Sequence, residues 1–322
     1  MAVRPLTVCV LGGTGFVGTE LVSRLVREGH DVRVPTRRLL NGTHLKVLPT
    51  VQLVVANIRD ARVLGQLFVG VDVVINLVGI LNEHGRATFR AIHRDLATKV
   101  IEAMRAQRVP RLLHMSSLAA GAQAPSQYLR SKAEAEAQVR VAAATIDSTI
   151  FRPSVIFGER DTLTNRFAGL LRMSHGFLPL ARPGARFAPI HVDDVVEAFV
   201  RALADRSTIG KSLDLCGPDV MTLEQIVRLT ARAANLPCHI LPLPDFVAAI
   251  QGVVMGMLPG KPFSSDNYRS LTIDSVCKQN GCETLGLTLS RMEAVLPGYL
   301  SDHSLQSQRD RYRRSASRWP QA

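Results

Sequence analysis

Apolar residues recur with two periods in the first half of the chain, and the two periods alternate. Short apolar runs predict strands at about 6–11, Asp31–Pro35, about Val51–Ala56, Val71–Leu77, Leu112–Ser116 and Thr149–Phe151. Spacings of three and four predict helices between them. Residues 16–28 set Val17, Leu21 and Leu25 on one face, flanked by Val22 and Val26, and Gly29 follows as a C-cap. A helix around 89–107 carries Ile92, Leu96 and Val100, and another runs over about 128–143. Apolar strands alternating with amphipathic helices predict a parallel sheet covered on both faces. After Arg152-Pro153 the rhythm breaks, and glycine and proline become common from 176 to 189. A helix at Val192–Leu203 and a strand at Ser212–Leu215 follow. Thr222 and Gln225 then form a capping-box pattern that opens a helix reaching about Ala234.

The first strand runs straight into Gly13-x-Gly15-x-x-Gly18 and then into a helix. That context turns a glycine-rich turn into a dinucleotide fingerprint. The glycines allow a tight turn, close approach to a pyrophosphate and packing of helix on strand, and the helix N-terminus offers its N–H groups to phosphate. The expected architecture is α/β: a doubly wound parallel Rossmann sheet over 1–152 and a smaller mixed substrate-side domain over 153–303. Some segments of the second part are expected to return to the sheet, and a basic tail, 304–322, closes the chain.

Composition narrows the class. The 322 residues are 46% hydrophobic, enough for a sizeable core. No apolar run reaches the roughly 18 residues of a membrane span, and no secretory signal pattern opens the chain. Five scattered cysteines, 9, 216, 238, 277 and 282, fit reduced thiols in a cytoplasmic protein. The net charge of +12 is partly local, since 304–322 holds Arg309, Arg311, Arg313, Arg314 and Arg318 against Asp310 alone. Such a tail suits an anionic lipid surface or an acidic partner, or is simply solvated. Nucleic acid is the weakest partner, because no recognition motif accompanies it.

Two further patterns carry chemistry. The end of the second strand is where an NAD-selective enzyme places an acid on the ribose 2′-hydroxyl. Here stands Thr36-Arg37-Arg38, so a 2′-phosphate, and NADP(H) over NAD(H), is favoured. Tyr128 and Lys132 are four residues apart on a predicted helix and share a face. A nearby ammonium is expected to lower the phenol pKa from about 10 and make the tyrosine a usable acid or base. Ser116 and Ser117 precede it, just past the fifth strand, and either hydroxyl would orient a substrate oxygen. His191-Val-Asp-Asp194 reads as a helix start with local hydrogen bonds, and the nine histidines show no metal-ligand spacing, so no metal is expected. Residues 245–258 read as core packing or a partner contact, since they lack the polar face of a surface helix.

These residues resemble the short-chain dehydrogenase/reductase superfamily, in its extended or atypical, NAD-dependent epimerase/dehydratase-like branch. More narrowly, the chain resembles the bacterial relatives of the nucleotide-binding accessory subunit of respiratory complex I. The matching stretches are Asn76-Leu-Val-Gly-Ile-Leu81, Ser131-Lys-Ala-Glu134, Phe151-Arg-Pro-Ser-Val-Ile-Phe-Gly158, Pro189-Ile-His-Val-Asp-Asp-Val195, Leu258-Pro-Gly-Lys-Pro-Phe263 and Ser265-Asp-Asn267. The resemblance implies that Gly12, Gly15 and Gly18 hold the pyrophosphate, with Thr14, Phe16 and Val17 completing the loop and first helical turn. It implies Arg37, with Arg38 as second choice, on the 2′-phosphate. Asn57 and Ile58 would lie at the adenine, where the wider superfamily has an Asp, and Asp60 follows. Leu77, Val78 and Gly79 would line the adenosine and phosphate side, Lys132 would bind the nicotinamide ribose, and Pro153 and Val155 would flank the nicotinamide. The expected function is hydride transfer at a carbonyl or hydroxyl carbon of an unidentified small molecule. The resemblance equally implies a non-turnover NADPH-binding subunit of a membrane complex such as complex I, peripheral on the inner face of the membrane. A sugar-nucleotide epimerase or dehydratase is the third reading.

Overall fold

A computed structural model describes residues 4–257 and 263–301. The basic tail and most of the stretch 258–263 therefore lie outside the described residues. Seven parallel strands form the central sheet: β1 (Thr7–Leu11), β2 (Asp31–Thr36), β3 (Val51–Val55), β4 (Val73–Asn76), β5 (Arg111–Met115), β6 (Asp147–Pro153) and, after the short β7 (Ile156–Phe157), β8 (Phe177–Ala181), β9 (Arg186–Phe187) and β10 (Ile190–His191), the edge strand β11 (Ser212–Leu215). Their order is β11-β6-β5-β4-β1-β2-β3. The chain reverses its direction of winding between β1 and β4, which places the ligand crevice at the carboxyl ends of those strands.

Helices α1 (Phe16–Arg27), α2 (Ala61–Leu67), α3 (Leu96–Gln107), α4 (Gln127–Ala142), α5 (Leu163–Met173) and α6 (Val192–Ala204) follow in chain order. Two clusters fill the two faces of the sheet. Val8, Val10, Val34, Ile75 and Phe151 meet Leu21 and Leu25 of α1 and Phe199 of α6 on one face. Cys9, Leu11, Val74 and Leu112 meet Leu64, Val100, Met104 and Val139 on the other. Thus β11 and α6 return from the second half of the chain to complete the sheet and its cover. Cys9 is a fully buried strand residue, and burial pushes its thiol up to about 12.

The smaller lobe packs α5 and α7 (Leu223–Ala233) beside β8, which pairs with β13 (His239–Leu243); β12 (Met221–Thr222) pairs with β9. Thr222 and Gln225 form the reciprocal capping box at the start of α7. The apolar segment after Pro244 is α8 (Asp245–Met257), followed by α9 (Ser265–Ser270). Here the core reading fails. Ala248 and Gly252 are buried, but Phe246, Ile250, Val253 and Val254 are exposed. Only the small-residue side of α8 packs on the protein, with Gly252 set against Ser265 of α9. No helix among the described residues is long and apolar enough to cross a membrane.

The expectation of reduced thiols also fails. Cys216, just after β11, is disulfide-bonded to Cys277, with their Cα atoms 6.0 Å apart. Leu118 and Ala188 pack around the pair. The two positions are 61 residues apart, so the bond closes a long loop in the unfolded chain. Cys277→Ser should cost about 2–4 kcal/mol of stability in denaturant melts without reductant, and the difference from wild type should vanish with reductant present.

Candidate functional site

Each loop that leaves the sheet at its carboxyl edge brings part of the site. After β1, Gly12 has φ +84, a value that an L side chain rarely adopts, and Gly15 donates its N–H to the Gly12 carbonyl at 3.0 Å. A Cβ on Gly18 would lie 2.2 Å from that carbonyl oxygen and 2.7 Å from Gly13 Cα, so α1 abuts the loop backbone to backbone. Gly15 is the N-cap of α1 and makes no side-chain cap, which leaves the first-turn N–H groups of Phe16 and Val17 without a side-chain partner from the cap. The Thr14 methyl lies against Gly42 of the helical turn that follows β2. These residues fit a pyrophosphate: a backbone cradle that a Cβ would fill, facing the positive end of a helix dipole.

Arg37 and Arg38 follow the end of β2 and are exposed, while Thr36 is buried and donates its hydroxyl to the Arg38 carbonyl at 2.9 Å. Among the described residues neither guanidinium has an acidic partner within ion-pair distance. After β3, Asn57 is exposed and accepts from the Arg59 N–H, Ile58 packs against the sheet, and Asp60 caps α2 through the Arg62 N–H. Leu77 is buried after β4, and the Val78 N–H is held by Asn76. Gly79 lies against Lys132: a Cβ there would come 3.1 Å from Nζ. Pro153 ends β6, and Val155 is half-buried just beyond it.

Tyr128 and Lys132 lie on the first turns of α4. Lys132 is buried, and its ammonium donates to the Met115 carbonyl at 3.2 Å. Burial pushes its pKa down to about 8, against the opposing pull of Glu136. Tyr128 departs from expectation. Burial holds its phenol above the ordinary value, and the lowering influence comes from the Ser117 hydroxyl rather than from Lys132. The ammonium is turned to the end of β5 instead. Of the two serines it is Ser117 that acts on the phenol, while its own hydroxyl donates to the Leu118 carbonyl at 3.2 Å. Ser116 is buried, and its hydroxyl has no hydrogen-bond partner among the described residues.

The sequence reading did not single out two groups around Tyr128. His93 lies in a π-helical turn, Arg90–Asp95, that precedes α3. Its ring meets Tyr128 edge-on at 5.6 Å, its Nε2 accepts from the Ile80 N–H, and its Nδ1 lies 2.7 Å from the Ser131 hydroxyl. Burial, helped by Lys132, holds it neutral with a pKa lowered to about 2. Nδ1 therefore carries the proton and donates to Ser131, whose hydroxyl donates to the Tyr128 carbonyl. The second group is Asp266 of α9. Its carboxylate accepts from the Gln127 N–H at 2.7 Å and the Tyr128 N–H at 3.0 Å, capping α4 from outside. Asn267 reaches the Leu81 carbonyl, and Ser264 and Asn267 cap α9 itself. The capping-box spacing of Ser264 and Asn267 was visible in the sequence; the docking of α9 on α4 was not.

His191 precedes α6 without capping it through its side chain. Its ring packs against Phe157, and Asp194 reaches Ser290 instead of the helix start. That pattern is structural.

This parallel sheet, with its glycine loop at the start of α1, defines an α/β protein of the Rossmann type. The chain belongs to the NAD dependent epimerase/dehydratase family, whose model matches residues 8–215. It is 31% identical over 307 residues to "NADH dehydrogenase [ubiquinone] 1 alpha subcomplex subunit 9, mitochondrial" of Arabidopsis thaliana, covering 89% of this chain and 75% of that protein. It is 32% identical over 241 residues to the ceramide reductase of Caulobacter vibrioides, covering 74% of each. In fold it is similar to a nucleoside-diphosphate-sugar epimerase of Staphylococcus aureus, with a TM-score of 0.73 at 14% identity over 91% of this chain and 100% of that one.

Proposed function

We propose that this protein is an NADP(H)-dependent reductase acting on a carbonyl carbon, with Tyr128 as proton donor. The observation that carries the reading is the buried Lys132, four residues along α4 from Tyr128, set against Gly79 and the end of β5 at the sheet edge that also bears the glycine cradle. Gly12, Gly15, Gly18 and the start of α1 would hold the pyrophosphate, and Arg37, with Arg38 beside it, the 2′-phosphate. Asn57 and Ile58 would border the adenine, Leu77, Val78 and Gly79 the phosphate side, and Pro153 and Val155 the nicotinamide. Bound NADPH supplies the hydride. Ser117 would orient the carbonyl oxygen, Tyr128 would give that oxygen its proton as the carbon is reduced, and Lys132 would bind the nicotinamide ribose. Ser117 is preferred to Ser116 for this role because it is the hydroxyl that acts on the phenol. The ceramide reductase relative supports reduction as the direction of the chemistry.

The test is a fluorescence titration with NADPH and NADH, followed by NADPH oxidation with a panel of ketones that includes long-chain amphiphiles. NADPH should bind more tightly, and Arg37→Ala should weaken NADPH by about tenfold or more while leaving NADH unchanged. A preference for NADH, or an Arg37→Ala variant with unaltered selectivity, overturns the cofactor assignment. It would revive the sugar-nucleotide epimerase reading, in which NAD is retained.

The relatedness to a complex I subunit favours a second reading, a peripheral subunit of a membrane complex that keeps NADPH without turnover. Tight NADPH binding with no oxidation of NADPH by any ketone, and co-purification with a membrane complex, is its expected signature.

A further inference from the structure

We infer that the Cys216–Cys277 disulfide is a thiol-exchange site that switches the serine side of the crevice, competent when oxidised and loosened when reduced. Cys216 directly follows β11, and its partner lies on the segment that carries Ser275. That segment is stitched to two others. The Ser275 carbonyl accepts from the Ser154 hydroxyl at 2.7 Å and from the Ala188 N–H at 3.0 Å. Ser154 stands between Pro153 and Val155, the residues proposed above to flank the nicotinamide. Leu118 packs on the cysteines together with Ala188. Its N–H donates to the Pro153 carbonyl at 2.9 Å, and its own carbonyl takes the Ser117 hydroxyl at 3.2 Å. The disulfide thus backs both the serine and the nicotinamide wall.

The two sulfurs differ in access. Cys216 is buried, whereas Cys277 is half-buried and followed by the exposed Lys278 and Gln279. A small dithiol therefore meets Cys277 first. Its thiolate attacks Cys277 Sγ, the S–S bond breaks, and Cys216 leaves as a thiolate that takes up a proton. The second thiol of the reductant then displaces Cys277, which is protonated in turn. The protein gains two electrons and two protons, and the dithiol becomes its cyclic disulfide. Cys282 takes no part: it is fully buried, and burial pushes its thiol up to about 12, so it offers no thiolate. After reduction Asn280 still holds the Cys216 backbone, accepting its N–H at 3.2 Å and donating to its carbonyl at 2.9 Å. What is released is the segment with Ser275 and Cys277. The glycine loop follows β1, with β4 and β5 between that strand and β6, so the pyrophosphate end is left in place. The effect on turnover rests on the reductase reading; the effect on the nicotinamide wall does not.

The test compares the full chain before and after treatment with dithiothreitol, with free thiols counted in denaturant. The untreated protein should show the three free cysteines, Cys9, Cys238 and Cys282, and the reduced protein all five. Reduction should lower kcat for ketone reduction by about tenfold to a hundredfold, the cost of a small misplacement at the reacting groups, and leave the NADPH dissociation constant unchanged. Oxidised glutathione should restore kcat. Cys277→Ser should sit in the low state and ignore dithiothreitol, and an unchanged NADPH titration verifies that it folds. The fluorescence of bound NADPH, which reports on the nicotinamide, should change on reduction of wild type and not of Cys277→Ser. Five free thiols in the untreated protein overturn the inference. So does wild type whose kcat and bound-NADPH fluorescence ignore complete reduction. Loss of NADPH binding on reduction would show a general loosening of the fold and would also overturn it. A protein that oxidises no NADPH in either state, yet changes its bound-NADPH fluorescence on reduction, supports the switch and ends the reductase reading.

Discussion

Gly18→Ala should abolish useful cofactor binding. The added Cβ would meet the Gly12 carbonyl oxygen at 2.2 Å and Gly13 Cα at 2.7 Å, and neither atom can rotate away. Either α1 moves off the loop or the loop opens. Each displaces the Gly15 N–H and the first-turn N–H groups from the positions that a pyrophosphate requires. Overpacking of this kind costs about 3 kcal/mol, and its transfer to binding is roughly a hundredfold in the NADPH dissociation constant. Gly29→Ala is the control. Gly29 also has a positive φ, +84, but nothing lies within 4 Å of its added Cβ. That variant should lose about 1 kcal/mol of stability and keep its affinity. A Gly18→Ala protein that binds NADPH as wild type does would remove the cradle from the site.

Tyr128→Phe should lower kcat for ketone reduction by about 10²–10⁴ and leave the NADPH dissociation constant unchanged. The phenyl ring keeps its edge contacts with Phe89 and His93, so the loss is that of the hydroxyl alone. The pH dependence has a definite sign. Burial raises the Tyr128 pKa, so the phenol remains protonated, and able to donate, throughout the neutral range. Lys132 loses its proton near pH 8, because burial has lowered its pKa to about 8. Above that pH Lys132 no longer offers an ammonium to the nicotinamide ribose, and kcat should fall. Lys132→Met should remove this alkaline limb together with most of the rate. A Tyr128→Phe variant with full activity would end the reductase reading and favour the subunit that holds its cofactor without turnover.

Local signals carried much of this structure. The strand–glycine–helix run at the start is visible because each part is contiguous: apolar Val8–Leu11, the glycines, and Leu21 and Leu25 one turn apart. The capping box of Thr222 and Gln225 is local in the same way. Strand β6 is longer than its apolar run, because Asp147 and Ser148 pair with Arg111 and Leu112 despite their polarity. The π-helical turn at Arg90–Asp95 left no periodic trace, since what it accommodates is His93 wedged between Ile80 and Ser131. The placement of Ser117 rather than Ser116 beside Tyr128 depends on how β5 leaves the sheet, which two adjacent serines cannot reveal. Distance along the chain hid the rest. Cys216 and Cys277 gave no spacing signal, and an apolar helix reads as core until one knows that only half of it is covered.

Asp266 adds a consequence for where this protein can be divided. The family match ends at residue 215, with the last strand of the sheet in place. A chain cut there would keep every strand of the sheet and the whole glycine loop. It would lack the carboxylate that completes the first turn of α4, 138 residues away from Tyr128 in sequence. It would also lack Ser275, which holds Ser154 beside the end of β6. The last third of the chain is thus the second wall of the crevice. During synthesis the dinucleotide cradle can form early, but the tyrosine helix, capped locally by Ser126, gains the Asp266 carboxylate on its Gln127 and Tyr128 N–H groups only after residue 266 has left the ribosome.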